Sequence, residues 1–381
     1  MSLHFSETSP HKVIAFPTTY SSILERISQI DPLEYSKTRN FIQGAVTYLS
    51  PYISRGVISV KQIRDAVLQK GYKPYQIEKF LQELAWREYF QRVWQQAADN
   101  IWTDMKQPQP DVRHHEMLAA VQDGSTGIEA IDKAITDLYS NGYMHNHARM
   151  YTAAMVCNMG KAHWLKPSQW MYYHLLDGDI ASNNCSWQWV AGAFSSKKYS
   201  FNQENVDKYT FSQQRGSFLD KTYEDIMAMD VPAALQATAP LLLKTNLPVT
   251  PFPVLDTSKP TLIYNSYNLD VLWRKDEDVN RILLLEPSHF EKYPVSRKVL
   301  QFVIELSKNI NGIQIFMGEI SDITNRYSID SPLEEGSIVS KEHPAFVHYT
   351  GIKDKRDWMY EHVTGYYPSF FSFYKKASKS F

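Results

Sequence analysis

The sequence predicts a mainly α protein: an all-helical domain over residues 1–230, a proline-rich linker over 231–260, and a small α/β domain over 261–381. Three observations carry this. Apolar residues recur at spacings of three and four up to about residue 225. Six prolines then fall between Pro232 and Pro260. Beyond them, short β-type runs alternate with a helical segment, which is the pattern of a βαβ unit.

Each element follows from its residues. Between Pro74 and Asp99, the residues Ile77, Phe80, Leu81, Leu84, Ala85, Tyr89 and Val93 form one apolar helical face. A second amphipathic segment runs from Gly127 to Leu138, and a third from Met144 to Met159. Pro108, Pro110, Gly124, Gly142 and Pro167 punctuate them. After the linker, Thr261–Tyr264, Arg281–Leu285, Gly312–Met317 and Ala345–Tyr349 read as strands, and Arg297–Lys308 as a helix. Separate cores are expected on either side of the linker. The stretch Lys355–Lys376 holds Trp358 and an aromatic run from Tyr366 to Tyr374, too apolar to stay solvated, so it packs back on the body.

Composition narrows the function classes. Lys plus Arg number 40 against 41 for Asp plus Glu. The whole chain therefore lacks the basic excess of a nucleic-acid binder, and any such surface is a local patch. Two cysteines, Cys157 and Cys185, exclude a disulfide framework and any four-cysteine metal site within one chain. Met1–Pro10 has no secretory pattern and no apolar run approaches a membrane span, so a cytoplasmic protein is expected.

Two blocks concentrate the chemistry. In Tyr143–Met150, helical spacing sets Asn146, Arg149 and Met150 on one face. The set combines an amide, a guanidinium suited to anionic oxygens, and a thioether. In Asp177–Trp189, two carboxylates, two asparagines and two tryptophans fall within thirteen positions. Asp177 and Asp179 flank a glycine. By themselves they fit a metal site, helix caps, or acceptors for a buried polar ligand; no His or Glu completes a metal set nearby.

Together the blocks resemble the FAD-binding core of the photolyase/cryptochrome family. That family shows Trp-Met-His-Asn-x-x-Arg-Met, then Asp-Gly-Asp-x-Ala-x-Asn-Asn-x-x-Trp-Gln-Trp. This chain has both, with Tyr143 for the first Trp. Upstream, Gly124–Gly127 with Asp132, Gln82–Phe90, Leu49–Tyr52 with Gly56 and Ser59, and the pair Tyr35 and Arg39 match in order across residues 35 to 205.

The resemblance implies an all-helical FAD-binding domain of photolyase type and the following roles. Tyr35, Thr47, Leu49 and Ser50 hold FAD, the last three at its diphosphate. The chain reads Val46-Thr47-Tyr48 where the family has Thr-Ser-Arg, so one hydroxyl and one cation are missing. Arg87, Asn146, Arg149, Asp177, Asp179 and Asn183 surround the cofactor. Arg149 pairs with Asp177, and Asn183 stands opposite flavin N5. Trp187 and then Trp164 carry electrons; the place of a third tryptophan falls at Pro108. Trp189 is expected in the core. Glu83, Trp86, Asn146 and Met150 fall at the lesion-facing positions of cyclobutane-dimer photolyases. Relatives acting on the (6-4) lesion carry His at the places of Asn146 and Met150, and this chain has neither. His145 and His147 receive no catalytic role.

The domain order departs from the family, whose α/β antenna domain comes first; residues 261–381 are read as a rearranged antenna-like domain. Whether a second antenna chromophore binds is not legible. The implied function is light-dependent repair of cyclobutane pyrimidine dimers in UV-damaged DNA by electron transfer from reduced FAD, with no membrane partner. The alternatives are a cryptochrome-like blue-light photoreceptor and a flavoprotein without repair activity.

Overall fold

The computed structural model describes residues 14–327 and 337–380; the Met1–Pro10 stretch lies outside them. The apolar face at Pro74–Asp99 becomes a short 3-10 turn, Pro74–Gln76, and the long helix Glu78–Ala97. This helix is buried on more than its apolar face: Glu88, Gln91 and Arg92 are buried with Phe80, Leu81, Ala85 and Tyr89. Buried polar groups need partners. Glu88 supplies them by accepting from Arg92 Nη2 at 2.9 Å and from the backbone N–H groups of Met359 and Tyr360 at 2.6 and 3.2 Å.

Helices Glu129–Asn141, Asn146–Ala154, Leu165–His174 and Ile180–Ala191 complete the layer around the chemistry-bearing blocks. Helix Asn146–Ala154 passes into a π turn over Met155–Met159. Gly142, at φ +75°, ends Glu129–Asn141 in the left-handed conformation that glycine adopts at little cost. A Cβ there would come within 2.7 Å of Leu176, so the residue also sets the closeness of the two key blocks.

Two strands, β1 (Met117–Leu118) and β2 (Thr238–Ala239), pair antiparallel. They fasten the start of the proline-rich stretch to the helical layer. Its later part is fastened too: Val254 exchanges both backbone groups with the Gln314 amide at 2.8 Å.

Five parallel strands follow: β3 (Thr261–Tyr264), β4 (Asn280–Leu284), β5 (Ile313–Phe316), β6 (Ile338–Lys341) and β7 (Ile352–Asp354), in the order β5-β4-β3-β6-β7. The chain steps outward through β4 to β5, then returns to β6 on the other side of β3. A crevice forms outside the carboxyl ends of strands where the order reverses. The strand expected at Ala345–Tyr349 is instead a 3-10 turn, Pro344–Phe346, and the ladder uses β6 and β7 on either side of it. Pro344 lacks an N–H for a ladder, and the aromatic residues fill the sheet end rather than its face.

The cores are not wholly separate: the helical layer and the α/β unit each keep an apolar cluster of their own, and a third is shared. One continuous apolar cluster joins Ile23, Tyr52, Leu81 and Cys185 of the helical layer to Leu262, Leu283, Phe302 and Phe373. Gly56, at φ +64°, lets the loop after β3 approach closely; a Cβ there would lie 2.3 Å from the Tyr267 carbonyl. Next to it, the buried Arg55 donates to the carbonyls of Leu176 and Ser266 at 2.9 and 3.3 Å, tying helix and sheet together. The C-terminal stretch packs back as helix Phe370–Ala377 against Glu78–Ala97.

Candidate functional site

The Asp-Gly-Asp turn builds the site from its backbone outward. Asp179 caps helix Ile180–Ala191 by accepting from the Ser182 N–H at 2.8 Å. Its other oxygen accepts from Gln91 Nε2 at 2.6 Å and lies 3.2 Å from Arg87 Nη1. A cap and an ion pair thus share one buried carboxylate, and of the readings that sequence left open the helix cap is met. Arg149 Nη2 meets both oxygens of Asp177 at 3.0 and 2.8 Å, while Nε donates to the Met144 carbonyl. The Arg149 guanidinium also lies 5.5 Å from the centroid of Tyr143, a cation–π contact.

Asn183 is one turn beyond Asp179, and its Nδ2 donates to the Ser168 carbonyl at 2.9 Å. Asn146 is exposed, with its Nδ2 3.9 Å from the Met150 sulfur. Behind these residues Trp187 is buried and Trp164 is fully so. Trp189, expected in the core, is 40% exposed. The period of helix Ile180–Ala191 buries Trp187, Gln188 and Val190 and turns Trp189 outward.

On helix Glu78–Ala97, Glu83 is held by Arg39 at 3.2 Å and Lys79 at 3.0 Å. Trp86 stacks on Phe370 with centroids 3.7 Å apart and planes 10° apart. One face of that ring therefore belongs to the C-terminal helix. Tyr35 packs edge-on against Phe80 at 5.2 Å, and burial with the Glu83 carboxylate nearby holds its hydroxyl protonated. His145 and His147 are pushed down to about 4, chiefly by burial, and stand as neutral rings at neutral pH.

The loop that carries Thr47, Leu49 and Ser50 is strained at Tyr48, whose φ of +52° is unusual for a bulky residue. Arg26 holds that conformation by donating to the carbonyls of Tyr48 at 3.1 Å and Ala15 at 2.9 Å. The cation that sequence missed at position 48 is present at this loop from another helix. The Tyr48 ring packs against Phe16 and Tyr143.

Residues 80–221 match the FAD binding domain of DNA photolyase. Over that stretch the chain is similar to the photolyase/cryptochrome family. It is 32% identical over 150 residues to a deoxyribodipyrimidine photo-lyase from Streptomyces griseus, covering 39% of this chain and 32% of that one. It is 31% identical over 172 residues to the deoxyribodipyrimidine photo-lyase of Escherichia coli K12, covering 42% and 35%. A cryptochrome from Synechocystis sp. PCC6803 superposes with a TM-score of 0.46 at 22% identity, over 55% of this chain and 46% of that structure. The chain spans about a third of the length of the curated relatives it matches.

The photolyase-type domain has a donor set that fits FAD. Arg87 Nη1 is buried and, although close to Asp179, has no hydrogen-bond acceptor. An unpaired buried donor is costly, and a bound polar group removes the cost. Thr47 and Ser50 supply hydroxyls, and Asp177 and Asp179 supply buried acceptors. Asp179→Ala is expected to weaken FAD retention by about 1–3 kcal/mol, because Arg87 loses its ion-pair partner and Gln91 its acceptor. Flavin content after gel filtration measures this; unchanged content would remove Asp179 from the pocket.

Sequence reading missed three kinds of residue. Gln91 carries no motif, yet it orients Asp179. Asp104 carries no assigned role in the sequence, yet it accepts the Trp164 N–H at 2.7 Å. Nothing pointed to the crevice at the sheet's carboxyl end. There a cavity of about 630 Å³ is lined by Trp94, His289, His343, Phe346 and Arg356, with a smaller one of about 120 Å³ beside Arg87 and Asn268. Strand order decides that crevice, and strand order is invisible in residue types.

Among the described residues no helix is long and apolar enough to cross a membrane, and no cluster of three or more His, Cys, Asp or Glu could hold a metal.

Proposed function

We propose that the protein is a light-driven photolyase of deoxyribodipyrimidine type, acting on cyclobutane pyrimidine dimers. The observation that carries this is the arrangement of helix Glu78–Ala97. It presents Glu83 and Trp86 beside Arg87, and Arg87 pairs with the Asp179 carboxylate of the cofactor block. Lesion-type side chains and cofactor-type side chains therefore project from one rigid element. Bound FAD supplies the photoexcitable one-electron donor.

The chain's own residues do the rest. The partly exposed Trp86 offers the ring face not taken by Phe370, and stacking a base on an aromatic side chain is worth about 1–3 kcal/mol. Glu83 meets the edge of the thymines by exchanging Arg39 or Lys79 for the base. Arg149, fixed by Asp177, and Asn183 line the flavin, Asn183 on the N5 side. Met150 fills the wall next to Asn146. Extrusion of the lesion from the duplex brings it to this wall. With a net charge of −1, phosphate contacts come from a local basic patch, so affinity falls steeply with salt.

The test uses protein loaded with fully reduced FAD and an oligonucleotide bearing one thymine dimer, single- and double-stranded, with and without blue light. Light-dependent loss of the dimer is expected. Glu83→Ala should lower repair yield more than binding, and Trp86→Ala should lower binding. A protein whose flavin cycles but which binds and repairs neither strand form sinks this reading.

A second reading has an observation of its own. Phe370 covers one face of Trp86 with a helix of the same chain. A cryptochrome-like photoreceptor, in which the C-terminal helix responds to the flavin rather than DNA, is what remains if the repair assay is negative.

A further inference from the structure

Trp164 is fully buried, and its only side-chain polar atom does not end on water or on a neutral group. The indole Nε1 donates to Asp104 Oδ1 at 2.7 Å. Such a short bond to a carboxylate is charge-assisted. Asp104 is itself held on both oxygens. Oδ2 accepts the Gln109 backbone N–H at 2.8 Å, and Oδ1 lies 3.3 Å from His163 Nε2. His163 Nδ1 accepts the Leu165 N–H, so the ring proton sits on Nε2 and faces Asp104. His115 stacks on the far side of His163 at 4.8 Å. Gln109 closes the group by accepting the Trp164 backbone N–H and donating to the Ala162 carbonyl. The Asp104 side chain is 22% exposed, so the group joins a buried indole to solvent through one carboxylate.

We propose that Asp104 is the internal proton acceptor for Trp164 when that tryptophan is oxidised. This rests on the reading of Trp187 and Trp164 as the electron path to FAD. One electron leaves the Trp164 indole by way of Trp187 and is taken up by photoexcited oxidised flavin, the one-electron oxidant. Loss of that electron makes the indole N–H about as acidic as a carboxylic acid. The N–H bond breaks with its electron pair staying on nitrogen, and the proton bonds to Asp104 Oδ1. The products are a neutral indolyl radical and a carboxylic acid. An external thiolate later gives one electron to the radical and becomes a thiyl radical, while the proton returns from Asp104 to the indole nitrogen.

The placement explains why a path can stop at Trp164. Position 108, the next tryptophan site in the family pattern, is proline. A positive hole on a fully buried ring is costly in a low-dielectric interior, and proton loss removes the charge. His163 does not already neutralise the carboxylate: burial holds its pKa below the usual imidazole value, with the nearby His115 acting in the same direction against the pull of Asp104.

Transient absorption on the FAD-loaded protein tests this, because neutral and cationic indole radicals absorb differently. Wild type should give the neutral radical at a rate independent of buffer concentration. Asp104→Asn keeps a hydrogen-bond acceptor but loses the base, and should lower the yield of neutral radical at least about tenfold. Asp104→Glu should restore it in part, which a merely structural role would not produce. In the flavin-free protein, the indole N–H band of Trp164 in ultraviolet resonance Raman spectra, isolated by subtracting Trp164→Phe, should shift in Asp104→Asn. A wild-type rate that scales with buffer base, an unshifted Raman band, or a normal neutral-radical yield in Asp104→Asn overturns the proposal. If Trp164→Phe leaves photoreduction unchanged, the electron-path reading fails and this proposal falls with it. If Trp164→Phe abolishes the long-lived radical while Asp104→Asn does nothing, the path stands and only the acceptor is wrong.

Discussion

Trp187→Phe is expected to slow light-driven reduction of the flavin, measured with an external thiol, at least about tenfold. Trp187 lies one helical turn beyond Asn183 on Ile180–Ala191 and is only 2% exposed, so solvent reductants reach the flavin side poorly through it. Phenylalanine fills most of the same space but is far harder to oxidise than indole, so the substitution removes a donor while keeping the packing. No cofactor-binding role is assigned to Trp187, so FAD content should hold. Continuous illumination with a thiol, followed as bleaching of the oxidised flavin band, measures the effect. A variant that bleaches at the wild-type rate would move the electron path away from this helix.

Glu88→Ala should destabilise the folded protein by about 3–5 kcal/mol, the usual cost of removing one partner of a buried charge pair. The Glu88 side chain is 0% exposed and answers Arg92 together with the backbone N–H groups of Met359 and Tyr360. The substitution leaves those donors buried without their acceptor. Arg92 keeps part of its environment, the Tyr360 carbonyl at 3.0 Å and the Trp358 ring at 4.3 Å, which places the loss toward the lower end. Glu88→Gln retains one acceptor oxygen and should cost about 1–2 kcal/mol. Urea unfolding measures both: the midpoint should fall with little change in slope. A loss below about 1 kcal/mol for Glu88→Ala would mean that the C-terminal segment is not fastened to the long helix through this carboxylate.

The same carboxylate marks the border between what was legible and what was not. The sequence alone determined the elements. Three-and-four spacing placed helices at Glu78–Ala97 and Glu129–Asn141, and short β-branched runs placed β3, β4 and β5. It also determined the Arg149–Asp177 pair, because the two blocks carry a family pattern whose order survives in the chain. These are local or motif properties, set by residue type at fixed spacing. Where the spacing argument was short it failed: an apolar run at Ala345–Tyr349 looked like a strand, but Pro344 and the sheet's own register put the ladder on either side. The outward turn of Trp189 was likewise lost among neighbours that are buried.

Everything that depends on distant parts of the chain meeting was decided only by the tertiary structure. Six prolines suggested a free linker, yet β2 and Val254 tie that stretch to both layers, and one apolar cluster is shared between them. Phe370 on Trp86, Arg26 at the Tyr48 carbonyl, Gln91 on Asp179 and Asp104 on Trp164 join residues between 22 and 284 positions apart. No periodicity reports such pairs. They exist because a buried donor, acceptor or ring must find a partner in the packed interior, and the partner is whichever group the fold has brought within reach.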